Sequence, residues 1–272
     1  MKEIDFIERV LQDAAAFVRR EYARRSEVEV SSKADPTDLL TQVDLAVQDM
    51  IVNRIADTFP GDIVAAEERG LDRDPEDPAC RCWILDPIDG TQNFVRGLFP
   101  TFGISLAFAV EGRAVAGGVS LPIATDLFLA ERGAGAFRNG ERLRVSEVDS
   151  LAVARIEVDF ASPRERRETL DRAAELICEA GQIRCTSSTV VGMCSVASAD
   201  MDAFVHVAME PYDYAASQLI AEEAGGKATR LDGSPLLLFD GKRGAVVSNG
   251  LLHDALLAIL RRRTETMLPS GI

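Results

Sequence analysis

The chain has 272 residues, 47% of them hydrophobic and 27% charged, which is enough to bury the core of one large domain or of two closely joined ones. Its formal net charge of −14 leaves no basic surplus to neutralise phosphates, which argues against general nucleic-acid binding and against binding to an anionic membrane. A small phosphate substrate is still allowed if bound cations reverse the local field.

No run approaches the length of a membrane span, and a cytoplasmic location is expected. The cysteines, Cys80, Cys82, Cys178, Cys185 and Cys194, form no paired Cys-x-x-Cys blocks. Thiols in a reducing compartment are therefore expected rather than a disulfide frame or a zinc site.

Ile4, Ile7, Leu11, Ala14, Val18 and Tyr22 recur at helical spacing and predict a helix over residues 3–25. Charges threaded through its apolar positions make it an amphipathic helix rather than a signal peptide. Residues 26–43 read as polar and irregular. Val47, Ile51, Ile55 and Phe59 line one face of a second helix over 44–58, with Asp44 as N-cap and Pro60-Gly61 as its stop. "DIVAAEERG" predicts a short strand ending in Glu67-Glu68, and "CRCWILDPIDG" a second strand with an acidic end.

From 102 to 145 the runs "FGISLAFAV", "RAVAGGVSL" and "DLFLAE", with an Asn139-Gly140 turn, predict an antiparallel meander. Beyond residue 150 strands and helices alternate. "VARIEVDF", "MDAFVHVA" and "GAVVSNG" read as strands; 164–180, "DYAASQLIAEEAGG" and 251–263 read as helices, the second closed by a double glycine. This alternation suggests a layered α/β half.

The chemistry lies in the acids. Asp86 ends the apolar run "WIL", Pro87 fixes the backbone direction, Asp89-Gly90 turns the chain, and Thr91 onward can start a helix. Free N–H groups at a helix start bind anions. Two carboxylates beside such a start become compatible once a hard cation lies between them, because Mg²⁺ takes a few carboxylates plus waters and phosphate oxygens. Taken singly, Glu67-Glu68 reads as a solvated turn, Asp86 and Asp89 as a turn or cap, and Asp213 as a plain N-cap. Together they place acids at several strand ends and helix starts, where each needs a partner if buried. The two histidines, His206 and His253, are too few for a histidine-based metal site.

"WILDPIDGTQNF", with "AAEERG", "DLLTQVD" and "PYDYAASQLIAEEAGG", resembles the inositol monophosphatase family of Mg²⁺-dependent, lithium-sensitive sugar-phosphate phosphatases, from about Lys33 to Gly226. The resemblance implies an α/β fold: the layered αβαβα sandwich of the inositol monophosphatase and fructose-1,6-bisphosphatase type. We expect an N-terminal half, 1–148, with the antiparallel sheet and most metal ligands. A C-terminal half, 149–272, completes the site in one compact unit.

The resemblance further implies two or three Mg²⁺ per site, with Glu67, Asp86, the carbonyl of Ile88, Asp89 and Asp213 as ligands. The N–H groups of Gly90 and Thr91 would hold the phosphate. Thr91 and Asp44, with Glu67 at the first metal, would activate water for in-line displacement at phosphorus. Lys33 and Glu68 would support the site. The expected partner is a small-molecule phosphate ester, and a homodimer is implied.

The pocket departs from the family pattern. The inositol-specific members carry a glutamate where this chain has His206, and "CTSSTVVGM" (185–193) puts Ser187, Ser188 and Thr189 where smaller residues are familiar. His206, Ser188 and Thr189 are thus candidate substrate contacts. The "GTQNFVRG" extension also resembles histidinol-phosphate phosphatases, and fructose-1,6-bisphosphatase activity occurs in the superfamily. A non-catalytic regulatory protein on the same fold is the alternative from another class.

Overall fold

The computed structural model describes residues 1–33, 38–68, 70–71, 80–97, 99–160, 162–239 and 241–261. Part of the predicted irregular stretch (34–37), Arg69 of "AAEERG" and residues 262–263 of the predicted last helix lie outside them.

In chain order, α1 (Glu3–Ala23) is followed by β1 (Val30–Ser32), β2 (Leu39–Thr41), α2 (Gln42–Thr58), β3 (Ile63–Ala66) and β4 (Gly70–Leu71). The long β5 (Arg81–Asp89) leads into the short α3 (Thr91–Arg96). The meander is β6 (Gly103–Val110), β7 (Arg113–Leu121), β8 (Asp126–Glu131), β9 (Gly135–Arg138) and β10 (Glu141–Arg142). Then come β11 (Arg155–Val158), α4 (Arg166–Glu179), β12 (Gln182–Arg184), α5 (Thr189–Ala197) and β13 (Ala203–Met209). The chain continues with α6 (Pro211–Glu223), β14 (Lys227–Arg230), β15 (Arg243–Ser248) and α7 (His253–Arg261).

Strands β10-β9-β8-β7-β6-β5-β3-β4 form an eight-stranded sheet, antiparallel except between β3 and β5. A five-stranded sheet runs β12-β11-β13-β15-β14, parallel at the β12, β11 and β13 end and antiparallel beyond. Period-two alternation sorts the side chains. On β5, Trp83 and Leu85 join α1 and α2 in one core, while Cys82 and Ile84 join α5 and α6 in another. The second sheet gives Phe204 and Val247 to that shared core, and Val205 and Val246 to a third core under α4 and α7. The layers therefore run α1/α2, eight-stranded sheet, α5/α6, five-stranded sheet, α4/α7: the expected αβαβα order. Gly117 and Gly118 show why "AGGV" suits β7. A Cβ on Gly117 would lie 3.1 Å from the Ala216 Cα of α6, and one on Gly118 would meet Ile7 of α1 at 2.7 Å.

Several boundaries differ from the expectation. Helix α2 is capped by Thr41, and Asp44 is the third helical residue, closing a capping box with it. Helix α6 starts at Pro211, so Asp213 is likewise inside the first turn rather than before it. The stretch read as irregular contains the β1–β2 hairpin. Helix α5 and strands β12 and β14 were not anticipated. The Asn139-Gly140 turn is as expected, with φ 51° and 83° at its two residues. Among the described residues no helix is long and apolar enough to cross a membrane.

Candidate metal and phosphate site

Most of the predicted acids meet in one cleft of about 200 Å³. Glu67 enters it after β3, Asp86, Ile88 and Asp89 from the end of β5, Gly90 and Thr91 from the start of α3, and Asp213 from the first turn of α6. Asp38, Leu39, Gln92 and Ser187 complete the lining, and none of these four was singled out from the sequence as a ligand. Asp44, Lys33 and Glu68 lie against the cleft wall: Asp44 meets Thr91, Lys33 meets Glu67, and Glu68 meets Lys33. Ser188, Thr189 and His206 do not line it. A larger cavity, about 640 Å³, lies between α1 and the β8–β9 hairpin and contains none of these groups.

The local backbone explains the convergence. The β5–β6 pairing loses register between Asp86 and Asp89, where Pro87 has no N–H to give to the ladder. The irregularity releases the strand end, and the N–H of Ile88 bonds to Asp86 Oδ1 at 3.0 Å. Gly90 then takes φ 90°, a left-handed conformation in which a Cβ would also crowd Thr101 O at 3.1 Å. Thr91 opens α3. Its hydroxyl has two acceptors in reach, Ile88 O at 3.0 Å and Asp44 Oδ1 at 3.2 Å. The other Asp44 oxygen accepts from Thr41, by its N–H at 2.9 Å and by its hydroxyl.

The acids repel one another. Burial, then the charges of Glu67, Asp89 and Asp213, hold the Asp86 carboxyl well above the usual carboxylate range. Asp213 is raised well above it too, by its enclosed position and by Glu67 and Asp89. Burial lifts Asp89 to about 7, although Ser188, Val190 and Thr189 donate to it. Burial also lifts Glu68 to about 7, with Glu67 adding to the effect and Lys33 opposing it. Lys33 Nζ lies 2.7 Å from Glu67 and 2.8 Å from Glu68. Burial lowers its pKa, but the two carboxylates outweigh burial and the net shift is up.

Among the described residues, no three of these side chains already converge as a finished coordination sphere. Several of them are engaged by protein partners. Glu67 is held by Lys33, Asp213 Oδ2 accepts the Glu210 N–H at 2.7 Å, and both Asp89 oxygens face the start of α5. A carboxylate oxygen carries two lone pairs, so these bonds leave each acid able to take a cation. The donor set is oxygen only, which suits a hard divalent ion.

His206 is buried, and its Nδ1 accepts the Ala208 N–H at 3.0 Å, so the ring proton sits on Nε2, 3.7 Å from Asp159. Burial lowers its pKa despite the attraction of Asp159 and Glu165. Ser188 is also buried and donates to Asp89 Oδ2. No sequence signal could have paired residues so far apart.

The sequence matches the inositol monophosphatase family over residues 1–265. The chain belongs to that family. A relative from Thermotoga maritima, named fructose-1,6-bisphosphatase/inositol-1-monophosphatase, is 35% identical over 97% of this chain and 98% of its own. The Nus factor SuhB of Escherichia coli is 31% identical over 93% of each. Among solved structures, the Thermotoga maritima IMPase superposes with TM-score 0.86 at 33% identity, covering 97% of this chain and 99% of that one. SuhB from Bartonella henselae does so with 0.88 at 28%, covering 95% and 98%. Membership of the inositol monophosphatase family supports phosphatase chemistry, and members of that family are generally Mg²⁺-dependent.

Proposed function

We propose that this protein is an Mg²⁺-dependent phosphoric monoester hydrolase for a small polyol or sugar phosphate, with inositol 1-phosphate as the first candidate. One observation carries the reading: Glu67, Asp86, Asp89 and Asp213 come from three separate elements to a cleft that also opens on the start of α3. These acids and the Ile88 carbonyl would hold two or three Mg²⁺, which when bound would neutralise the phosphoryl oxygens and lower the pKa of water. The Gly90 and Thr91 N–H groups have no acceptor within the first helical turn and would donate to phosphate oxygens.

The Thr91 hydroxyl, donating to Asp44, keeps lone pairs to accept from a water in the cleft. That bond aims the water oxygen at phosphorus, and Asp44 takes the proton passed on through Thr91. No covalent phosphoenzyme is needed. Lys33 and Glu68 tune the charge of Glu67. His206, Ser188 and Thr189 shape the alcohol side of the pocket from behind.

The halves 1–148 and 149–272 act as one unit in this reading, because the cleft draws Asp213 from the second and its other acids from the first. A homodimer in the cytoplasm is part of the proposal, and light scattering tests the dimer.

The test is phosphate release from inositol 1-phosphate, histidinol phosphate, fructose 1,6-bisphosphate, adenosine 3′,5′-bisphosphate and glycerol 2-phosphate, with Mg²⁺ and with EDTA. The expected result is Mg²⁺-dependent release that EDTA abolishes, ranked by kcat/KM. The joint name of the Thermotoga maritima relative favours fructose 1,6-bisphosphate as runner-up. The relatives named Nus factor SuhB favour a second reading, a regulatory protein on this fold. Absence of release from every ester in the panel would put that reading first.

A further inference from the structure

Strand β11 buries a carboxylate that the mechanism above does not use. Glu157 is fully buried, while its neighbours Ile156 and Val158 face the opposite core. Its Oε1 accepts from Thr186 twice, from the N–H at 3.0 Å and from the hydroxyl. Among the described residues, its Oε2 has no hydrogen-bond partner. An acid is costly there: burial pushes the carboxyl up to about 7 against the lowering effect of the two Thr186 bonds.

What the acid holds explains its presence. The Thr186 carbonyl accepts from Asn93 Nδ2 of α3 at 2.7 Å and from Thr101 Oγ1 at 3.3 Å. Two residues on, Ser188 donates to Asp89 Oδ2, and the Val190 N–H reaches the same oxygen at 3.0 Å. Between them Ser187 sits at φ 55°. That left-handed conformation costs a residue with a Cβ about 1–3 kcal/mol and persists only where the surroundings over-determine it. Glu157 fixes one end of this turn and Asp89 the other.

A separate feature of α5 fits the same picture. Gly192 lies inside the helix, where glycine gives up about 1 kcal/mol relative to alanine. A Cβ there would meet the Phe204 ring at 2.3 Å and Glu157 Cδ at 3.1 Å. The glycine leaves the room that these two side chains fill.

We propose that Glu157 is a positioning residue: through Thr186 it clamps the 186–188 turn against Asn93, and so sets how Asp89 is presented to a cation beside the start of α3. Its catalytic consequence rests on the phosphatase reading; its effect on metal binding is measured apart from turnover.

Glu157→Gln keeps a carbonyl oxygen for both Thr186 donors and exchanges the other oxygen for an uncharged NH₂. Glu157→Met keeps the volume and removes the acceptor. Mg²⁺ binding to each, with inorganic phosphate present, is measured by calorimetry well below the lowest melting temperature, alongside kcat and KM. Glu157→Gln should bind Mg²⁺ within about twofold of wild type and Glu157→Met about tenfold or more weakly, as expected when a group that orients a ligand from behind is lost. kcat/KM should follow, while KM at saturating Mg²⁺ changes little.

Thr186→Val keeps the N–H bond and loses the hydroxyl. It should fall between the two and serves if Glu157→Met does not fold. Wild-type Mg²⁺ affinity in Glu157→Met, or in Thr186→Val where that variant stands in, overturns the proposal; so does a Glu157→Gln as weak as Glu157→Met. A wild type that binds Mg²⁺ but releases no phosphate sinks the phosphatase reading and leaves the clamp to be judged by the affinities. A wild type that binds no Mg²⁺ sinks both.

Discussion

Asp44→Asn separates a helix cap from a proton acceptor. Asp44 is fully buried, with Oδ2 accepting from Thr41 and Oδ1 facing the Thr91 hydroxyl at 3.2 Å. An asparagine can keep its carbonyl oxygen on the Thr41 side, where two donors point at it. Its NH₂ then faces Thr91, whose hydroxyl turns to the Ile88 carbonyl, 3.0 Å away.

The fold loses one hydrogen bond but also sheds a carboxylate that burial makes costly to ionise. The net stability change should stay below about 1 kcal/mol, a melting shift of roughly 2–4 °C at most for a chain of this size. Asp44→Ala differs, because it orphans the Thr41 N–H and hydroxyl at about 1–3 kcal/mol each and should lower the melting temperature by roughly 4–24 °C. If Asp44 takes the proton of the attacking water, Asp44→Asn loses kcat by about 10²–10⁴-fold. KM and Mg²⁺ affinity should move only slightly. Phosphate release at saturating Mg²⁺, paired with calorimetric melting, measures both. A folded Asp44→Asn with kcat within about threefold of wild type would refute the water-activating role and leave the residue a cap.

Asp213→Asn keeps an oxygen for the Glu210 N–H, so the fold should survive while turnover falls by about 10²-fold or more and the Mg²⁺ requirement rises. Near-normal turnover removes Asp213 from the ligand set. In EDTA, the melting temperature should fall between about pH 5 and about pH 8. Asp89 and Glu68 are raised to about 7 chiefly by burial, so the folded state keeps protons that the unfolded chain releases near pH 4. The stability this provides is complete below the unfolded pKa and is lost as pH climbs through the folded one. Millimolar Mg²⁺ should flatten the trend by favouring the ionised forms, and an identical slope with and without Mg²⁺ counts against a cation among these acids. Gly117→Ala brings a Cβ to 3.1 Å from the Ala216 Cα, so α6 must give way. Stability should drop by about 1–3 kcal/mol, and Mg²⁺ activation should weaken because Asp213 rides on that helix; unchanged values for both refute the tight β7–α6 contact.

The legible parts of the molecule are those set by neighbours in sequence. Asp86, Pro87, Asp89 and Gly90 mark a strand end, a break in the ladder and a left-handed turn, each of which is a local backbone event. Their side chains fall at a strand end whichever helices pack around it. Helix α1 was legible because one face is wet, which writes a period into its sequence. Helix α5 lies between two sheets, and nearly all of "TVVGMCSVA" is buried, so the period disappears and the glycine inside it looks like a turn. Asp44 reads as the cap because its own side chain suits one, yet it lies three residues inside the cap. The pattern T-x-x-D, with Thr41 before it, carried the better signal.

The same distinction explains why the proposed metal ligands and the proposed substrate contacts differ in legibility. An acid at the end of β5 points into the cleft by virtue of the strand that carries it. Which of Ser187, Ser188 and Thr189 faces that cleft depends instead on where α5 begins and on how it docks against Asp89. Because Ser188 is the N-cap, its hydroxyl turns inward, accepting from Val191 and donating to Asp89. Thr189 is carried into the helix and buried. Ser187, in the strained position just before the cap, is left exposed at the cleft. Discrimination among alcohols is therefore to be sought at Ser187 more than at the buried His206.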